Sequence, residues 1–229
     1  SWTLSSSDID AVAPTYTTYA HSAIAANPGT AVKLQMILPG ETANPGSSSG
    51  YTGTATSQLA GTQFVVTVNC VDANWNINTG TSPQVTVSTS DTFDTEPTGN
   101  LSNGTNTYNV TFKKAGSWTL SSSDIDAVAP TYTIYNHSAI AANPGTGVKL
   151  QLLLPGETAN PGSTNGNTGN ATGQVAGTQF TVTVNCVDAN WNKNTSAEPG
   201  VTVYTSDANT PTSNQQTLTL GTSTYNIIF

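Results

Sequence analysis

The sequence predicts an all-β chain of two tandem β-sandwich units, on three observations. These are a long internal repeat, apolar residues alternating with period two, and no capped stretch of helical period. Residues 1–14 (SWTLSSSDIDAVAP) recur unchanged as 117–130, an offset of 116 residues. At the same offset residues 39–46 return as 155–162, 60–64 as 176–180, and 68–76 as 184–192. Tyr108 matches Tyr225, one position further on, so the second copy carries a single insertion. A repeat this long is a whole domain, since solenoid elements run to about 20–50 residues.

The strands follow from the alternation. Val32, Leu34, Met36 and Leu38 alternate with Lys33, Gln35 and Ile37, then stop at Pro39-Gly40. Phe64, Val66, Val68 and Cys70 share one face of a second run, and Val85 with Val87 marks a shorter one. Tyr108, Val110 and Phe112 form the next, and Trp118 with Leu120 (or Trp2 with Leu4) the last. Lys113-Lys114-Ala115-Gly116 reads as a hairpin loop between two such strands. The predicted division gives residues 1–13 to the sheet of a preceding or neighbouring domain. Residues 14–129 form repeat 1, and residues 130–229 form repeat 2, lacking its last strand.

Composition narrows the function. The 229 residues carry 5 lysines and arginines against 13 acidic residues, a net charge of −8, so a phosphate-binding footprint is absent and nucleic acid is not an expected partner. Hydrophobic residues reach 35%, above what a disordered chain sustains, yet no apolar run approaches the ~20 residues of a membrane span. The chain opens on Ser1 rather than methionine, which points to processing or to a piece of a longer protein. Cys70 and Cys186 hold the same position in each repeat; geometry disfavours a bridge between equivalent core positions of separate domains, so both are expected as buried free thiols. No enzymatic activity is expected. His21 and His137 lack a Gly-x-Ser-x-Gly elbow and an obvious orienting carboxylate, and read as surface or interface residues.

Three segments carry the resemblance of this chain to a known family: residues 154–162 (LPGETANPG), 176–192 (AGTQFTVTVNCVDANWN) and 114–119 (KAGSWT). The sequence resembles tandem bacterial immunoglobulin-like repeats of the invasin and adhesin type, found in large prokaryotic surface proteins. The resemblance implies two immunoglobulin-like sandwiches in an extracellular stalk, spacer or filament at the cell surface. A module that grips carbohydrate or acts as an adhesin is the second reading, with Trp75 and Trp191 as stacking platforms. The stretches that differ between repeats, 91–104 and 207–221, hold a single aromatic, Phe93, which favours the spacer.

Three sets of candidate residues remain. Asp72, Asn74 and Asn76, with Asp188, Asn190 and Asn192, place oxygen side chains at alternate positions, as in the opening of a calcium loop. Asp8, Asp10, Asp124 and Asp126 in the linkers would complete such a calcium site between domains, but Pro83 and Pro199 stand where an EF-hand needs its bidentate glutamate, and no cofactor is expected beyond that candidate. Asn100, Asn103, Asn109, Asn136, Asn170 and Asn194 head Asn-x-Ser/Thr glycosylation acceptors. The third set is an assembly interface. Ser1, Trp2, Thr3, Leu4, Ser5 and Ser6 duplicate the strand after Phe112, and nothing duplicates it after Phe229. They are expected to pair antiparallel with Tyr225, Asn226, Ile227, Ile228 and Phe229 of another copy, joining copies head to tail by strand complementation.

Overall fold

The computed structural model describes residues 1–10, 12–126, 128–208 and 214–229, all without helix. Residues 209–213, part of the second variable stretch, lie outside that description. β1 (Ser5–Ser6) and β2 (Tyr19–Ala20) form an isolated two-stranded hairpin. The first unit runs through β3 (Lys33–Ile37), β4 (Glu41–Ala43), β5 (Tyr51–Gly53), β6 (Gln58–Leu59), β7 (Phe64–Val71), β8 (Gln84–Thr89), β9 (Thr98–Asn100) and β10 (Thr105–Val110). β11 (Gly116–Asp124) and β12 (Tyr135–Asn143) form a long hairpin. The second unit holds β13 (Lys149–Leu153), β14 (Glu157–Ala159), β15 (Asn167–Gly169), β16 (Phe180–Val187), β17 (Gly200–Val203), β18 (Asn214–Thr217) and β19 (Thr222–Ile227).

Two sheets face each other in the first unit. One has the order β10-β7-β3, the other β6-β12-β11-β8-β9. Alternation along each strand sends one set of side chains inward. From the first sheet come Leu34, Met36, Leu38, Val66, Val68 and Cys70; Val85, Val87, Leu120, Ile140 and Ala142 meet them from the second. Both cysteines are free and buried. Gly50 and Gly166 show how tightly the loops close. Both adopt positive φ, and a Cβ at either would overlap an indole, Trp75 or Trp191.

The last strand of the first unit does not extend the sheet that holds β10. It crosses to the opposite sheet and pairs antiparallel with β8, setting Leu120 against Thr89, Ser122 against Val87 and Asp124 against Val85. On its other edge lies β12, a strand from beyond Pro130. The division expected between residues 129 and 130 therefore cuts a hairpin whose two strands belong to one sheet. The sequence repeat and the packing repeat are out of phase, because a sandwich closes where its apolar faces are covered and not where the sequence starts again.

Among the described residues the second unit has the same first sheet, β13-β16-β19, but only β17-β18 opposite it. Leu34, Met36 and Leu38 are 1%, 0% and 2% exposed, whereas their counterparts Leu150, Leu152 and Leu154 are 50%, 48% and 37% exposed. The hairpin that would cover them is the feature the two units do not share. Leu120 and Leu4 thus occupy the same sequence in opposite surroundings, 1% against 63% exposed. Leu120→Ala should cost about 2–5 kcal/mol, the usual range for emptying a buried leucine site. Leu4→Ala should stay within about 0.5 kcal/mol in the isolated chain, and paired thermal melts of the two variants check the contrast.

Candidate self-assembly surface

The N-terminal hairpin is already folded as its buried counterpart is. Trp2 and Ile24 exchange two backbone bonds of 2.8 Å, and His21 N donates to Leu4 O at 2.8 Å. The same pairs, Trp118 with Ile140 and Leu120 with His137, sit opposite each other in β11 and β12. Burial is what differs. Leu120, Tyr132 and Ile140 lie in the first core, while Leu4, Tyr16 and Ile24 are exposed, as are Trp2 and Tyr19. One chain thus carries an unpartnered apolar hairpin and an uncovered apolar sheet, and its own middle shows how such a pair fits.

That fit corrects the expected acceptor. Ser1, Trp2, Thr3, Leu4, Ser5 and Ser6 were matched to Tyr225, Asn226, Ile227, Ile228 and Phe229. In the first unit the equivalent of the latter is β10, which pairs with β7 alone. β19 likewise already pairs with β16, Phe180 opposite Ile227 and Val182 opposite Tyr225. Tyr225 is buried and its hydroxyl donates to Val201 O at 3.2 Å. The edge equivalent to the β8 edge that receives β11 belongs to β17. In the first unit the strand that meets β8 arrives as half of a hairpin, β11 with β12.

The buried joint also holds a polar pair that the sequence reading missed. His137 Nε2 lies 2.9 Å from Glu41 Oε1, with the two side chains 3% and 2% exposed. They line an open cavity of about 390 Å³ whose wall includes Ser57 and Ser138. Histidine beside a buried carboxylate invites a catalytic reading, but both ring nitrogens are engaged: Nδ1 faces Ser138 O at 2.7 Å and Nε2 faces Glu41. Tyr135 packs 6.4 Å from the imidazole, and burial pushes its hydroxyl up to about 12, so it brings no second anion to the pair. The signal available in the sequence was that His21/His137 and Glu41/Glu157 both repeat in a chain poor in charge.

The calcium candidates are spent on N–H donors. Asp72 Oδ1 accepts from Asn74 N, Asn76 N and Asn76 Nδ2, and its Oδ2 from Gly29 N and Asn76 Nδ2. Asp188 repeats the pattern with Asn190, Asn192 and Gly145. A carboxylate ringed by donors is a turn-former, not a cation ligand. Asn192 turns outward to the other unit: its Nδ2 donates to Lys113 O at 2.9 Å and its Oδ1 accepts from Ala115 N at 2.7 Å. The linker aspartates bind local backbone instead: Asp8 accepts from Tyr16 N and Asp10 from Val12 N, Asp124 accepts from Tyr132 N and Asp126 from Gln84 N. Among the described residues no three His, Cys, Asp or Glu side chains cluster as a metal site.

The indoles are covered as well. Lys33 Nζ sits 3.3 Å above the centre of Trp75 and Lys149 Nζ 3.4 Å above Trp191, and Gly50 and Gly166 press against the rings, so neither forms an open sugar platform. Of the six glycosylation acceptors, Asn100, Asn103, Asn109, Asn136 and Asn170 are exposed. Asn194 is committed, its Nδ2 donating to Gly145 O at 2.8 Å. Among the described residues no helix is long and apolar enough to cross a membrane. No protein-family model matches the sequence, and neither a characterised protein nor a solved structure matches it.

Asp72 gives the joint a pH signature. Burial pushes its carboxyl up, but Asn76 and the backbone N–H groups of Gly29, Asn76 and Asn74 outweigh that and hold it at about 2. A depressed folded value means its contribution is complete above the ordinary aspartate range and drains away as pH falls toward about 2. Asp72→Asn should therefore melt lower than the parent at neutral pH and lose less stability between pH 4 and pH 2. Melting curves across that range check it.

Proposed function

We propose that this chain is a structural repeat of an extracellular fibre or surface stalk, made of two immunoglobulin-like sandwiches and joined to further copies head to tail. The N-terminal hairpin of one copy enters the open second unit of the next. One observation carries the reading: the chain exposes both halves of a joint whose completed form it already contains. Transposing the β11–β8 register by the repeat offset sets Leu4 against Thr205, Ser6 against Val203 and Asp8 against Val201. Tyr16, Ile24 and Ala26 then stand where Tyr132, Ile140 and Ala142 cover the first sheet. Contact of this kind is heterologous, so repetition gives an open line rather than a closed ring.

The resemblance to bacterial surface repeats supports the same reading, as does a composition low in charge and rich in Thr, Ser and Asn. A structural role also fits the commitment of His137, Asp72 and both tryptophans to packing or hydrogen bonds. In a longer chain a following repeat would supply the same hairpin through the same contacts, and the intact mass of native fibres distinguishes separate copies from one covalent array.

Assembly is testable with two charge insertions at sites exposed in the isolated chain, Leu4→Asp in the donor hairpin and Leu152→Asp in the acceptor sheet. Purified parent should form filaments visible by electron microscopy. Each variant alone should stay monomeric, and an equimolar mixture should stop at the dimer, because only one intact donor and one intact acceptor remain. Filaments from Leu4→Asp alone, or a parent that stays monomeric at high concentration, would overturn the proposal.

A further inference from the structure

The ion pair inside the chain has its two halves laid out again on the open surfaces. His21 keeps its Nδ1 on Ser22 O at 2.9 Å, as His137 keeps its own on Ser138 O at 2.7 Å. Glu157 Oε2 accepts from Leu154 N at 2.9 Å, as Glu41 Oε2 accepts from Leu38 N at 3.0 Å. In both units the carboxylate is thus fixed by the turn after the first strand through its Oε2. In the first unit Oε1 meets the imidazole. In the second it is held by Asn167 Nδ2 at 2.9 Å, where the first unit has Tyr51.

We infer that His21 of one copy and Glu157 of the next form a buried ion pair, and that this pair makes the acceptor select hairpins carrying a cation at that position. The inference rests on the head-to-tail reading above. Its force lies in the asymmetry of buried charge. A buried pair adds little over a well-packed apolar replacement, but leaving one partner alone in the interior is costly. Docking a hairpin over Glu157 removes the carboxylate from water. A hairpin with His21 returns a charge-assisted bond, while one without it leaves the buried charge with only the neutral Leu154 N–H and Asn167 amide as partners. Leu4 and Ile24 supply the affinity, and the uncovered Leu150, Leu152 and Leu154 of the acceptor would greet any apolar hairpin equally. The ion pair refuses the wrong ones.

The test uses full chains with one functional end each. The donor carries Leu152→Asp and the acceptor Leu4→Asp, so a mixture gives a heterodimer whose Kd is read by sedimentation or calorimetry. His21→Gln in the donor should weaken it on the order of a hundredfold, the size expected for an uncompensated buried charge. Glu157→Gln in the acceptor should then bring the His21→Gln donor back to within about tenfold of the parent pair, because two neutral amides leave no stranded charge. Melting of each chain alone should not move for His21→Gln, since His21 is exposed there. An unchanged Kd for His21→Gln, or no recovery with Glu157→Gln, overturns the ion pair while leaving head-to-tail assembly standing. Failure of the parent donor and acceptor to associate overturns the assembly reading itself.

Discussion

The insertion of Leu120 and Ile140 between two sheets is the contact on which the first unit depends. Without the β11–β12 hairpin the second sheet would shrink to β8 and β9 with the short β6 detached, and Leu34, Met36 and Leu38 would face water. The second unit shows that state directly, with all three counterpart leucines uncovered. Burying one such side chain contributes about 1.5–3 kcal/mol, so a hairpin that covers several completes a core that in the second unit is confined to residues such as Val182, Val184, Val201, Leu218 and Tyr225. The remaining features serve that contact. The Asp72 and Asp188 turns fix where each hairpin leaves its own unit, and Asn192 fastens the loop that leads from β10 into β11.

Much of this was legible in residue order. The repeat offset announced two equivalent units, and the period-two runs located β3, β7, β8, β10 and β11 and their inward faces. Leu34, Met36, Val66, Val68 and Cys70 all lie in the core the alternation implied. What residue order could not reveal was the partner of each strand. Lys113-Lys114-Ala115-Gly116 has the length of a hairpin loop, which made β10 and β11 look like neighbours in one sheet. The loop instead bridges the two sheets, its backbone pinned by Asp91 Oδ2 through Lys113 N and Lys114 N. Pairing is a long-range property, and alternation says which face is apolar without saying what covers it.

The polar residues were misread for a related reason. Aspartate and asparagine at alternate positions serve a calcium loop and an aspartate-centred turn equally well in one dimension. The difference lies in whether N–H groups or empty space surround the oxygens, and Asp72 is surrounded by N–H groups. Glu41 and His137 stand 96 residues apart, so no local pattern could join them. Only the fold brings the turn after β3 under the strand that begins at Tyr135.

The clamp on Gly29 has a consequence for polymer topology. Asp72 Oδ2 accepts from Gly29 N and Asn78 Nδ2 donates to Gly29 O, so the chain is pinned just after the N-terminal hairpin and just before β3. A tether that short confines the hairpin to the neighbourhood of the first unit. Under the proposed head-to-tail assembly such a tether disfavours ring closure within one molecule, and joining to another copy covers the apolar surface instead. A turn that looks like local housekeeping thus decides how far the hairpin can stray from the sheet it precedes.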